Sequence, residues 1–169
     1  MNKRLLLMRH AEAETATIRT PDFDRKLTRR GLAQACEMAE ALKQLDYLPN
    51  AILYSAALRT TQTAEQIANT LTGKPLLMIS EKVLYNAPSE RVIEAIRFAE
   101  LPEDIHTLLV IAHNPGISRL AAECGWQDHM TAYFPPAGMA AFDITIQNRT
   151  GFSPQSCKWL FFKVPGKNL

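Results

Sequence analysis

Leu7-Met8-Arg9-His10-Ala11-Glu12 closes an apolar run that starts at Leu5, and its reading decides the fold. Residues Leu5 to Met8 read as a buried strand, within a strand from Lys3 to Arg9. The strand delivers an arginine and then a histidine into a loop. Two later segments add to this pattern. Ser55-Ala56-Ala57-Leu58-Arg59-Thr60-Thr61-Gln62-Thr63-Ala64 opens a helix with a second arginine. Leu108-Leu109-Val110-Ile111-Ala112-His113-Asn114-Pro115-Gly116 ends an apolar run with a second histidine. Two arginines and two histidines, each at the mouth of an element, suggest a site that transfers a phosphoryl group through histidine.

Outward from that strand, apolar runs alternate with helical periodicity. Thr28 is a candidate N-cap for a helix to about Leu45, with Leu32, Ala35, Ala39 and Leu42 facing inward. Ala51 to Tyr54 reads as a strand, and Ser55 as the cap of a helix through Leu71. Pro75 to Ile79 is a third strand. Ser89 caps a helix to about Ala99, with Val92, Ile93 and Ile96 inward. Thr107 to Ala112 reads as a fully buried strand, and Pro115 suits the first turn of a helix to about Cys124. Met139 to Ile146 and Lys158 to Val164 alternate enough to pair as antiparallel strands, joined by the polar stretch Gln147 to Gln155.

Strands separated by helices predict an α/β fold: a three-layer α/β/α sandwich on a mainly parallel sheet, with antiparallel C-terminal strands. Ligands of such sheets bind outside the carboxyl ends of the strands. Arg9, His10 and His113 sit at that end, and Arg59 lies near it. The expected organisation is one domain over residues 1–169.

Composition excludes several classes. The chain has 47% hydrophobic and 21% charged residues and a net charge of +2, with its basic residues scattered, so it carries no nucleic-acid footprint. The run Leu5 to Met8 is too short for a secretory signal, and no apolar stretch approaches the ~18 residues of a membrane helix. Cys36, Cys124 and Cys157 are widely spaced, with no CxxC, and form neither a disulfide framework nor a zinc site. A reducing cytoplasm is the expected location. His106 and His129 read as surface or loop residues.

The chemistry follows from residue type. A transferred phosphoryl group spreads charge over its equatorial oxygens, so catalysis is mostly positioning and electrostatic stabilisation. Arg9 and Arg59 offer planar forks for those oxygens. Histidine acts as nucleophile when one ring nitrogen is unprotonated and the other has a fixed acceptor, and His10 is the candidate. His113 would bond the phosphoryl oxygens and, if protonated, add positive charge. Two arginines and a cationic histidine would make a metal or cofactor unnecessary.

These residues resemble the histidine phosphatase superfamily, the phosphoglycerate-mutase-like fold, and most of all its small SixA-type phosphohistidine phosphatases. The resemblance rests on Arg9-His10, Asp22-Phe23-Asp24-Arg25-Lys26-Leu27-Thr28-Arg29-Arg30-Gly31, Ser55 to Ala64, Leu84-Tyr85-Asn86-Ala87 and Ile111 to Gly116. It implies that His10 is transiently phosphorylated and that Arg9, Arg59 and His113 complete the phosphate pocket. Ala11 stands where the superfamily commonly has glycine. Larger members carry a leaving-group acid after a mid-chain leucine, whereas Leu84-Tyr85-Asn86-Ala87-Pro88 has no carboxylate.

Leaving-group chemistry gives that absence a meaning. An alkoxide needs a general acid, worth about 10²–10⁴ in rate. A phosphorylated imidazole leaves more readily, which favours a phosphohistidine-bearing protein, such as a histidine phosphotransfer domain, as substrate. At 169 residues there is little room for an insertion that would close over a small molecule. Two alternatives stand beside this reading. A phosphomonoesterase for a small metabolite or nucleotide would use Glu12 or Glu81 as acid, although Glu12 reads rather as a brace for its loop. A non-catalytic phosphate-binding module would need the cations but no nucleophile.

Overall fold

The computed structural model describes residues 3–71, 73, 75–127 and 133–167. Its elements are β1 (Lys3–Arg9), α1 (Arg29–Gln44), β2 (Ala51–Ser55), α2 (Leu58–Thr70), β3 (Leu77–Glu81), α3 (Ser89–Phe98), β4 (Thr107–Ala112), α4 (Gly116–Glu123), β5 (Met139–Ile144) and β6 (Cys157–Lys163). The strands form one six-stranded sheet in the order β3-β2-β4-β1-β5-β6. β1, β2, β3 and β4 pair in parallel, while β5 runs antiparallel to both β1 and β6. The expected α/β sandwich with an antiparallel C-terminal pair is therefore the observed architecture.

Burial on both faces explains why the central strands read as unbroken apolar runs. Alternate residues of β1 enter opposite cores. Leu5 and Leu7 join Leu53, Val110 and residues of α3 and α4 on one face. Leu6 and Met8 join Ile52, Ile111 and residues of α1 and α2 on the other. Every residue of β4 is buried.

Several local expectations shift. Thr28 does cap α1, its hydroxyl accepting from the Gly31 amide at 2.9 Å. Leu32, however, is exposed, because the inward position one residue earlier is Gly31, where a Cβ would stand 2.0 Å from the Glu12 carbonyl oxygen. Ser55 is the last residue of β2 and caps nothing; α2 begins after Ala57. Ser89 is the first residue of α3, after Pro88, and its hydroxyl donates to Glu123 of α4. β3 lies two residues later than predicted, at the sheet edge, where its half-exposed residues give a weak periodic signal. Pro115 stands one residue before α4. His106 is exposed as expected, and His129 lies outside the described residues.

Candidate active site

The carboxyl edge of the sheet assembles the site. β1 ends at Arg9 and passes directly to His10, which stays in register through its amide bond to the Ala112 carbonyl at 3.2 Å. β4, the neighbour of β1, ends at Ala112 and delivers His113. β2 ends at Ser55, and the first turn of α2 brings in Arg59. His10, Arg59 and His113 are buried, at 7%, 2% and 2% exposure. The two imidazole centroids lie 5.3 Å apart, and Arg59 bridges them.

The hydrogen bonds define both tautomers. His10 Nδ1 lies 2.7 Å from the Ala11 carbonyl oxygen, which only accepts, so the proton is on Nδ1. His10 Nε2 accepts from Arg59 Nε at 3.2 Å. Arg59 Nη2 lies 3.2 Å from His113 Nδ1, and a guanidinium only donates, so that nitrogen also accepts. The remaining proton of His113 is on Nε2 and is donated to Ser55 Oγ at 2.8 Å. Burial, and then the nearby Arg59 cation, hold the pKa of His113 down at about 3. His10 is likewise lowered to about 3, chiefly by burial. The condition under which His113 would add positive charge is therefore not met without a bound anion: both rings are neutral.

Positive charge comes from arginine instead. Arg9 Nη1 donates to the Phe134 carbonyl at 2.8 Å, while its Nε is buried with no partner among the described residues. Burial and the neighbouring Arg25 and Arg59 cations all lower the pKa of Arg9. A buried donor without a partner and guanidiniums that repel one another are both relieved by an anion between them. The Phe134 carbonyl also accepts from Asn114 Nδ2 at 2.8 Å, and the Ala137 amide donates to the His10 carbonyl at 3.1 Å. The loop before β5 therefore braces Arg9, His10 and the residue after His113.

One carboxylate in this cluster escaped the sequence reading. Asp22 stands in a 3₁₀ turn, Asp22–Asp24. Its Oδ2 accepts from Arg59 Nη2 at 3.0 Å and from the Tyr85 hydroxyl at 2.7 Å. Its Oδ1 accepts from Arg25 Nε and Nη2 at 2.9 and 2.8 Å. The Tyr85 bond, followed by the two arginines, holds Asp22 well below the usual carboxylate range. The segment Asp22 to Gly31 was legible as a motif, but nothing in its spacing aims a side chain at Arg59.

Of the two acids considered, Glu12 accepts from the Thr28 hydroxyl at 2.8 Å and pairs with Arg30 at 3.5 Å, so it braces the start of α1. Glu81 ends β3 in register with Ser55, and among the described residues no hydrogen bond or ion pair ties it to His10, Arg59 or His113. Ser55, expected as a helix cap, instead fixes the His113 ring.

Comparison with known proteins finds relatives of the same fold. The family model for the histidine phosphatase superfamily (branch 1) matches residues 5–84. An uncharacterised chloroplastic protein of Arabidopsis thaliana is 29% identical over 129 residues, covering 72% of this chain. The match spans 59% of the length of that curated relative. A crystal structure from Agrobacterium tumefaciens, described as a candidate phosphohistidine phosphatase SixA, superposes with a TM-score of 0.79 at 26% identity, over 98% of this chain and 100% of that one. The protein histidine phosphatase SixA in complex with tungstate gives 0.76 at 24% identity, over 96% and 97% of the two chains. A candidate α-ribazole-5'-P phosphatase of Escherichia coli shares the fold, with a TM-score of 0.69 at 18% identity over the full length of both chains. With these matches and the Arg-His, Arg and His elements gathered at one sheet edge, the chain is similar to the histidine phosphatase superfamily over residues 5–84 and, along its whole length, to the SixA structure of Agrobacterium tumefaciens.

Proposed function

We propose that the protein is a phosphatase that removes the phosphoryl group from phosphohistidine on a protein substrate, such as a histidine phosphotransfer domain, through a covalent phospho-His10 intermediate. The observation that carries this reading is the His10 ring. Its Nδ1 proton is tied to a main-chain carbonyl, and its Nε2 lone pair accepts from the buried Arg59. A neutral imidazole with one nitrogen locked and the other unprotonated is the form that attacks phosphorus.

In the first step the His10 Nε2 lone pair forms a bond to phosphorus and the bond to the leaving group breaks. Water then forms a bond to the phosphorus of phospho-His10 as the N–P bond breaks; the electron pair returns to Nε2, and the phosphoryl group leaves as inorganic phosphate carrying the protons of the water. Arg9 and Arg59 hold the equatorial oxygens in both steps, and His113, fixed by Ser55, turns its Nδ1 toward them and donates once that nitrogen takes up a proton from the bound phosphoryl group. The choice of a P–N bond is supported by the acid inventory. Asp22 is held ionised by Tyr85, Arg59 and Arg25, so it has no proton to give an alkoxide, and Glu12 is committed to Thr28 and Arg30. The likeness to the candidate phosphohistidine phosphatase of Agrobacterium tumefaciens points the same way.

The test compares kcat/KM for a phosphohistidine-bearing protein, an aryl phosphate and a panel of sugar phosphates, without added metal. Phosphohistidine is expected to be the best substrate. His10→Ala should abolish turnover and the phosphoenzyme trapped on acid-free quenching. A sugar phosphate as best substrate would move the function to small-molecule phosphomonoester hydrolysis. Failure to trap phosphoenzyme in the wild type would indicate a binding module.

A further inference from the structure

The site changes character from floor to rim. His10, Arg59 and His113 are almost fully buried, whereas the Asp22 side chain is 41% exposed and Phe23 is 37% exposed. Tyr85 stands beside them, its ring edge-on to Phe23 at 5.0 Å between centroids and to His113 at 5.6 Å. The floor is built for an anion, whereas a carboxylate flanked by aromatic faces is the usual surrounding of an organic cation. In-line displacement sets the leaving atom opposite the attacking nitrogen. With His10 on the floor, the leaving group faces the rim.

A carboxylate on the arginine meant for a phosphoryl group also calls for a reason. It weakens the hold of Arg59 on a dianion, unless the same substrate brings a positive charge to Asp22. A phosphorylated imidazole protonated on its distal nitrogen is such a substrate. We propose that Asp22, flanked by Tyr85 and Phe23, binds the distal N–H of the substrate's phosphohistidine ring and keeps that nitrogen protonated while the P–N bond breaks. The inference rests on the phosphohistidine reading above.

Donors balance in the exchange. Asp22 now accepts from Arg25 twice, from Tyr85 and from Arg59. A phosphoryl oxygen that takes over the Arg59 Nη2 donor leaves one Oδ2 position open, and the ring N–H fills it. Electrons balance as well. The His10 Nε2 lone pair forms the new N–P bond, and the electron pair of the old P–N bond returns to the substrate ring nitrogen. Because the distal nitrogen already carries its proton, the ring departs as neutral imidazole and no proton moves in the step. The two rings are then held alike, His10 through Nδ1–H to the Ala11 carbonyl and the substrate through its distal N–H to Asp22.

The test is the ratio of kcat/KM for a phosphohistidine peptide to that for p-nitrophenyl phosphate, in the wild type, Asp22→Asn and Tyr85→Phe. The nitrophenolate leaving group has no N–H for Asp22, so any loss through a disturbed Arg59 affects both substrates and cancels in the ratio. Loss of one charge-assisted hydrogen bond should lower the ratio about 10- to 100-fold in Asp22→Asn. Tyr85→Phe, which loosens Asp22 without removing its charge, should shift the ratio the same way by less, and it decides the matter if Asp22→Asn does not fold. Equal losses on both substrates would overturn the inference and leave Asp22 as a positioning residue for Arg59. A wild type that does not hydrolyse the phosphohistidine peptide would overturn the functional reading itself, a result read before any variant is made.

Discussion

Lowering the pH from 7 to 5 should cost this protein a sizeable share of its stability, through two buried rings. His10 and His113 each accept a hydrogen bond from Arg59, so protonation would aim a new N–H at a guanidinium donor. Burial first, and then the nearby Arg59 cation, hold both pKa values at about 3, from an ordinary value of 6.5. The unfolded chain takes up these protons as pH drops through 6.5, while the folded protein does not until about pH 3. Stability from the two rings is thus fully present above pH 6.5 and is lost progressively as pH falls toward 3. Linkage gives about 2 kcal/mol per ring at pH 5, or about 4 kcal/mol for the pair, against a typical total of about 5–15 kcal/mol. Asp22, also depressed, releases its contribution only below the ordinary carboxylate range and stays outside this window. Urea unfolding at both pH values, followed through the buried Trp126, would measure the loss. A His10→Gln, His113→Gln double variant offers acceptors that do not titrate and should be nearly flat over the same range. A wild type that loses less than about 0.5 kcal/mol would refute the neutral, Arg59-bonded assignment of both rings.

Arg59→Ala removes the donor shared by both histidines and by Asp22. It should lower kcat/KM by about 2–4 kcal/mol of transition-state stabilisation in steady-state assays, with an unchanged value arguing against its place in the pocket. Ser55→Ala strands the buried Nε2–H of His113 and should cost about 1–3 kcal/mol in urea unfolding, together with a fall in kcat/KM. Gly116→Ala would set a Cβ 1.9 Å from the Ala87 carbonyl oxygen, at the contact between α4 and the loop that carries Tyr85. The forced separation should cost about 1–3 kcal/mol, and an unshifted unfolding midpoint would show that the loop yields freely.

The sheet was legible because β1 and β4 are buried on both faces and so read as continuous apolar runs; their predicted bounds are the observed ones. β3 was misplaced because an edge strand with half-exposed residues imposes little pattern. Arg9, His10, Arg59 and His113 were legible because strand ends and one helix start share an edge in a parallel sheet, so topology alone brings them together. Asp22 and Tyr85 were not, since each reaches the site from a 3₁₀ turn or the loop after one, where side-chain direction has no sequence period. Ser55 was seen but misread, because a serine before a helix is most often a cap. Here the chain needs two further residues before α2 starts. The charge of His113 was left conditional because residue identity says nothing of which neighbour donates.

Position 11 has its own bearing on how such chains diverge. The oxygen that fixes the His10 tautomer belongs to the Ala11 backbone, and the Ala11 amide is itself anchored on Thr63 Oγ1 at 3.1 Å. Every residue type supplies that oxygen, so no point mutation at 11 deletes the lock. What inheritance must preserve there is smallness, since the Ala11 side chain is wholly enclosed. Alanine and glycine both meet that requirement, so either residue can follow the Arg-His pair with the His10 tautomer fixed in the same way.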